Sequence, residues 1–484
     1  MSTTTPTPCA NCQRLQAEVD DLRAQLTQVQ AQFAQLQQQF AQLQQQLASA
    51  RKDSSTSSKP PSSDIVKPPK PPPPPGQTKR RPGGQPGHPM HQRALFPPEL
   101  LSADPFDHRL DFCPDCGGRL RDTGFGPRVV QQVELEAVPL RIEEHRLHET
   151  YCPHCGAFPR ASLPTAVQKG GLVGPRLTAL IAYLKGVCHA SFSTVRKFLR
   201  DVVGLTISRG QLAKVIGKVT EALDGPYQDL LESLPGQARL NVDETGHKVN
   251  GEHWWTWCFR ASLYTLFKID PTRAADVLIG VLGAEFDGVL GCDCFSAYRR
   301  YMREFGVTLQ FCLAHLIRDV KFLLTLPDPH VRAYGERLRQ TLRQLFSVFH
   351  QRGEVSEATT RTRLEAARAE VLRQARTDVP ANRSAQALAK RLAQYGESYF
   401  TFVTTPGVEP TNNLAEQAIR FVVIDRHITQ GTRSEAGNRW CERIWSVIAT
   451  CAQQGRSVMG YLEAAVRACF TGGEAPSLLV EGGK

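Results

Sequence analysis

The chain has 484 residues and carries 58 Lys+Arg against 47 Asp+Glu, a formal net charge of +11 that suits a polyanionic partner. No apolar run reaches about 18 residues, so no membrane-spanning helix is expected, and Met1-Ser2-Thr3-Thr4-Thr5 lacks the charged-then-apolar pattern of a secretion signal. Fourteen cysteines, several spaced Cys-x-x-Cys, fit metal binding in a reducing cytoplasm better than a disulfide scaffold.

In chain order, residues 1–14 read as a leader and 15–50 as a coiled coil. Val19, Leu26, Phe33, Phe40 and Leu47 hold one seam position, and Leu15, Leu22, Val29, Leu36 and Leu43 the other, at alternating intervals of four and three. A Gln-rich helix with such a seam predicts self-association, and a lone amphipathic helix is the plainer alternative. Residues 51–98 are a Pro/Ser/basic linker: prolines from Pro68 to Pro75 favour a polyproline spacer, and Lys79, Arg80 and Arg81 place charge on an extended arm that could lie along DNA. Residues 99–165 are expected to bind zinc. Cys113-Pro114-Asp115-Cys116-Gly117 and Cys152-Pro153-His154-Cys155-Gly156 are matching knuckles, and four thiolates make a closed tetrahedral Zn²⁺ site. Strand-like segments at 129–138 and 140–147 lie between them.

Residues 170–235 read as helices. Ser193 to Val203, a turn at Gly204-Leu205-Thr206, and a second helix capped by Ser208 resemble a helix-turn-helix, with Arg209, Gln211 and Lys214 available to DNA. An ordinary helical hairpin has the same pattern.

Strands then alternate with helices over 236–425, predicting an α/β layered core. Ala238 to Val242 reads as a buried strand ending on Asp243 and turning at Gly246. Val289 to Cys292 is a strand followed by Asp293. A helical, Arg-rich insertion over about 326–400 precedes a helix from about 411 that carries Glu416. C-terminal helices and tail occupy 426–484. Asp243, Asp293 and Glu416 are a plausible carboxylate set for two Mg²⁺ ions. Each has a plainer reading: Asp243 as a turn residue, Asp293 as part of a Cys-x-Cys, and Glu416 as the third position of a capping box headed by Asn413. His315 and Arg318, on one helix face, are phosphate-contact candidates or else a satisfied histidine at a strand-to-helix junction and a surface arginine; Arg439 and Arg443 are phosphate contacts or a solvated helix face. Asn412 and Asn413 either orient substrate or cap the helix.

Asp-Glu-Thr-Gly at 243–246, Gly-Cys-Asp-Cys-Phe-Ser-Ala-Tyr at 291–298, Phe-Cys-Leu-Ala-His-Leu-Ile-Arg at 311–318 and Thr-Asn-Asn-Leu-Ala-Glu-Gln-Ala-Ile-Arg at 411–420 resemble the ordered motifs of the IS66 family of bacterial transposases. The linker segments 57–64 and 83–88 and the paired Cys knuckles resemble it too, so the likeness runs from about residue 50 to 465. It implies a multidomain α/β protein with an RNase H-like DDE core, in which Asp243, Asp293 and Glu416 bind Mg²⁺ or Mn²⁺. It further implies cleavage at the ends of an insertion sequence and strand transfer into target DNA. A cytoplasmic, nucleoid-associated protein that forms a homo-oligomer through the coiled coil, with possible accessory proteins of the element, is the expectation. An element-encoded regulator with an inactive core, or a nuclease of the same fold, are the rival readings.

Overall fold

The computed structural model describes residues 10–50 and 162–480, together with Thr56, Leu95, residues 97–100, Phe112, Asp115, Arg119, Val129, residues 140–146 and Cys155. The basic cluster Lys79, Arg80 and Arg81, the polyproline run and three of the four knuckle cysteines, Cys113, Cys116 and Cys152, lie outside these residues. Contacts divide the chain into two compact units, one of Met1–Pro68, Glu144–Phe198 and Thr206–Lys484, the other of Pro69–Glu143 and Leu199–Leu205.

In the first unit, α1 (Ala10–Ala50) is a continuous helix of 41 residues, about 60 Å long at 1.5 Å per residue. All ten heptad seam residues are exposed, from Val19 at 40% to Leu22 and Leu43 at 63%. After it come α2 (Thr165–Gly170), α3 (Pro175–Gly186), α4 (Phe192–Phe198), α5 (Arg209–Ala222) and α6 (Asp224–Ser233). Ser208 caps α5 by accepting from the Gln211 amide at 3.1 Å. The opposite face of α5 buries Leu212, Val215, Ile216 and Val219, leaving Arg209 and Lys214 exposed and Gln211 half-buried.

Five strands follow: β1 (Arg239–Val249), β2 (Glu252–Arg260), β3 (Thr265–Asp270), β4 (Val289–Cys292) and β5 (Thr308–Phe311). They form one sheet in the order β3-β2-β1-β4-β5, with β1, β2 and β3 antiparallel and β4 and β5 parallel to β1. Leu240, Val242, Trp257, Phe259, Leu266, Phe267, Leu290 and Phe311 are almost wholly buried along it, each contributing about 1.5–3 kcal/mol of apolar burial.

β1 corrects the expectation of a short strand turning at Gly246. It continues six residues past Asp243, and Gly246 pairs with Trp255 inside the ladder. The turn is at Asn250 and Gly251, whose φ angles of 51° and 91° suit a two-residue hairpin with right-handed strand twist. The free edge of β3 is covered by α15 (Glu435–Gln453). Amides of Thr265, Phe267 and Ile269 donate to Thr450 Oγ1 (3.1 Å), Ser446 Oγ (2.9 Å) and Glu442 Oε1 (2.7 Å), which recur every four residues along one helix face.

The helices α7 (Ala275–Leu282) and α8 (Ser296–Phe305) connect β3 to β4 and β4 to β5. Helix α9 (Leu313–Leu324) leaves β5 directly, and α10 (Pro329–His350), α11 (Glu357–Arg376), α12 (Arg383–Tyr395) and the short α13 (Thr401–Thr404) fill the stretch expected to be a helical insertion. The chain then returns through α14 (Asn413–Thr429), which packs on β1 and β2, and ends with α15 and α16 (Val458–Thr471).

In the second unit, Phe112 and Arg119 form an antiparallel bridge, and Leu199–Val203 is a π-helical turn rather than a continuation of regular helix. Gly204 follows with a φ of 78°. Residues 140–146, which run across the boundary between the two units, form no ladder, against the expectation of a strand over 140–147, whose last residue lies outside the described ones. Arg141, Glu143, Glu144, His145 and Arg146 deny that segment a continuous apolar face, and Ile142 is 84% exposed. None of the described helices is long and apolar enough to cross a membrane.

Candidate active site

Parallel pairing of β1 with β4 ends at Asn241↔Gly291. Asp243 lies two residues beyond that pair on β1, and Asp293 immediately follows β4. Both carboxylates therefore sit where the parallel pairing ends, the edge at which open α/β sheets form their clefts. Glu416 arrives from α14. What fixes α14 there is Asn412: its Nδ2 donates to Val242 O at 2.8 Å, its Oδ1 accepts from Asn241 Nδ2 at 2.9 Å, and its amide meets Cys312 Sγ at 3.2 Å. Gly291 makes this possible, because a Cβ there would lie 2.6 Å from Asn241 Nδ2.

The capping-box reading of Glu416 is thereby corrected. Asn412, not Asn413, is the N-cap, and its side chain makes no cap hydrogen bond because it is spent on β1. Glu416 Oε1 is buried with no hydrogen-bond partner. Its other oxygen is 3.5 Å from Arg318 Nη2, and Oε1 is 3.7 Å from His315 Nδ1, itself without a hydrogen bond.

Asp243, Asp293 and Glu416 line one cleft of about 660 Å³, with Glu244, Trp255, Arg273, His315, Arg318, Asn413 and Arg420. Asp243 Oδ1 accepts from the Glu244 amide (3.0 Å) and Asp293 Oδ1 from the Phe295 amide (2.8 Å). Burial pushes the Asp243 carboxyl well above the usual carboxylate range, and the charges of Glu244, Asp293 and Glu416 push it further. Asp293 is raised by burial and by Glu244, while the Phe295 amide, His315 and Arg273 pull it back. Burial lowers the His315 imidazole. Close carboxylates whose ionisation is opposed by burial and by one another are relieved by a divalent cation, which favours the charged forms.

Cys312, His315 and Glu416 also bring ligand atoms within 4.8 Å of one another. The thiol is raised by burial and already accepts the Asn412 amide, which leaves the oxygen-rich set as the better match for a hard cation.

The remaining candidates separate by environment. Asn412 is buried and fully engaged, whereas Asn413 is exposed at the cleft. Arg439 pairs with Asp224 at 2.7 Å. Arg443 is 11% exposed, binds Asp224 and Glu442 and stacks 4.6 Å over the Tyr227 ring, so its donors are directed inward. Cys155, the one described knuckle cysteine, is exposed. Sequence reasoning missed Glu244, Arg273 and Tyr298. Glu244 is buried and accepts from Arg273 Nε at 2.7 Å and from the Tyr298 hydroxyl. These three are scattered over 55 positions with no spacing to betray them.

Comparison with known families gives a match of residues 170–439 to the Transposase IS66 family. The chain belongs to the IS66 transposase family. The matched span contains β1 to β5 and all three acids. Residues 5–94 match a second family, of unknown function. Two curated relatives, both from Sinorhizobium fredii, are described as uncharacterized. The protein y4qI is 24% identical over 344 residues, covering 63% of this chain and 61% of the relative. The protein y4hP is 24% identical over 380 residues, covering 70% and 67%. The chain thus spans about three fifths of the first relative's length.

Proposed function

We propose that this IS66 family member is a DDE transposase whose Asp243, Asp293 and Glu416 hold two divalent cations, Mg²⁺ or Mn²⁺. The observation that carries the reading is the convergence of three carboxylates in one cleft, one of them with a buried oxygen that has no hydrogen-bond partner. The strand order and pairing directions support an RNase H-like core for residues 236–425, with α10 to α13 as a helical insertion. Bound there, the cations supply Lewis acidity and offset charge on a phosphodiester undergoing in-line displacement. The chain's own groups position the substrate. Asp243, just past the end of the β1–β4 pairing, and Asp293, just after β4, are each held by a backbone amide, Glu416 is steadied by Arg318, and exposed Arg420 and Asn413 offer donors to DNA phosphates. Two reactions use this cleft: hydrolysis at the element's end, leaving a 3′-hydroxyl, and attack of that hydroxyl on target DNA.

The other units serve delivery. The exposed α1 seam pairs subunits. The four cysteines bind Zn²⁺, a reading supported by the Phe112–Arg119 bridge flanking the first knuckle. Arg209 and Lys214 on α5, and the Lys79–Arg81 arm, contact the ends.

The test is a cleavage assay with Mg²⁺ and a labelled duplex carrying the element's terminal sequences, comparing wild type with Asp243→Asn, Asp293→Asn and Glu416→Gln. Nicking that disappears in all three supports the site, and joined products distinguish a transposase from a nuclease. Binding without nicking, unchanged by the substitutions, would point to the regulator.

A further inference from the structure

We infer that Arg273 is a pre-oriented phosphate-binding side chain for the DNA strand lying in the cleft, held in place by the buried pair Glu244 and Tyr298. This inference rests on the cleft of the proposed function being where DNA lies, and it adds a contact that the three acids do not provide.

Arg273 stands on the segment between β3 and α7, which is braced at three points. The Thr272 amide donates to Asp270 Oδ1 at 3.0 Å, the Ala274 amide to Thr272 Oγ1 at 3.1 Å, and Trp257 Nε1 to Thr272 O at 3.2 Å. The guanidinium is fixed next. Nε and Nη2 both point to Glu244 Oε1, and Cζ lies over the Phe295 ring, 3.8 Å from its centroid, and over Trp255, 4.7 Å from its centroid. Phe295 is the residue whose amide holds Asp293, so the arginine and a proposed metal ligand share one brace. The Glu244 side chain is 1% exposed, whereas that of Arg273 is 32% exposed and lines the cleft. Nη1 has no hydrogen-bond partner among the described residues.

One edge of the guanidinium, Nε with Nη2, is therefore committed to Glu244 and its faces meet aromatic rings, while Nη1 is open in the cleft that the acids line. A planar donor stacked on aromatic rings and locked by a carboxylate gives up little freedom on meeting a phosphate oxygen. A lysine there would keep the charge and lose the fork. The Glu244–Arg273 pair alone would satisfy a merely structural account, so the test must read phosphate contact rather than stability.

Affinity is measured in Ca²⁺ for duplexes carrying the element's terminal sequence with one neutral methylphosphonate at successive positions. With wild type, neutralising the contacted phosphate should weaken binding about tenfold or more, the scale of one charge-assisted hydrogen bond. In Arg273→Gln that penalty should vanish at that position and persist elsewhere, and Arg273→Lys should be intermediate. Because Arg273→Gln leaves a buried carboxylate unpaired, Arg273→Gln with Glu244→Gln is run beside it and should lose the same penalty. A penalty profile identical in wild type and the variants, or one with no penalty at any position in wild type, overturns the inference. Failure of the amide-substituted acids to reduce cleavage would instead overturn the proposed active site, so the two results are separable.

Discussion

The two ends of α14 hold acids in opposite circumstances. Asp425, in its last third, is 5% exposed and fully satisfied: His189 Nδ1 lies 2.9 Å from Oδ1 and Trp445 Nε1 3.2 Å from Oδ2. Glu416, in its first turn, is more accessible, yet one of its oxygens has no hydrogen bond, and it shares the cleft with two carboxyls whose pKa values burial and neighbouring negative charge push upward. A buried acid with a complete set of donors is part of the scaffold. An acid cluster without one is the kind of group that a cation would stabilise, as the proposed function requires.

The sharpest way to break this contrast is at the cleft. Asp293→Asn should cut Mg²⁺-dependent DNA cleavage by roughly a thousandfold or more, the upper range for removing a pre-organised electrostatic contact, with little change in thermal stability. A variant that cleaves within about threefold of wild type would end the argument for this residue.

At the other end the effect should fall on the fold. Asp425→Ala leaves His189 and Trp445 without their acceptor and should cost about 2–4 kcal/mol. Thermal unfolding should shift down by roughly 5–15 °C, while the folded fraction keeps its cleavage rate. An unchanged Tm would show that Asp425 is not structural.

Between these lies assembly. Leu22→Asp with Leu36→Asp, two residues of one α1 seam position, should convert an associated species to monomer in sedimentation. Unaltered mass would assign self-association to another surface.

The smallest effect sharpens the electrostatics. Asp243 has a raised carboxyl pKa in the folded chain, so the folded state retains its proton more strongly than the unfolded state. Both states are protonated below the unfolded range near pH 4, and as pH rises above it the wild type loses stability by being forced toward ionisation. Without divalent metal, Asp243→Asn should therefore raise Tm at pH 7 by a few degrees, since about 1 kcal/mol moves a domain of this size by roughly 2–4 °C. The gain should fade as pH falls toward 4. An Asn variant less stable than wild type at pH 7 would contradict the shift.

The sequence disclosed what depends on local period. The α1 heptads and the alternation of strands and helices were legible because each repeat is a statement about neighbours. Tertiary partners were not. Asp-x-x-Gly at 243–246 suggested a turn, but pairing with β2 overrode it, and the true turn signal was Asn250-Gly251. Glu416 looked like a capping residue because nothing in its neighbourhood reveals that Asn412 is engaged by Asn241 and Val242, some 170 residues away. The Glu244–Arg273–Tyr298 cluster was invisible for the same reason, and so was the turning inward of Arg443 onto Asp224.

The most direct measurement is Mn²⁺ titration followed by electron paramagnetic resonance, comparing wild type with Asp243→Asn/Asp293→Asn in the full chain. Mn²⁺ prefers oxygen ligands, so it reports the carboxylates rather than a thiolate site. The account predicts saturable binding in wild type that is abolished in the double variant, whose Tm without metal is no lower than that of wild type. Equal Mn²⁺ binding by both proteins would contradict the assignment of these acids to the metal site.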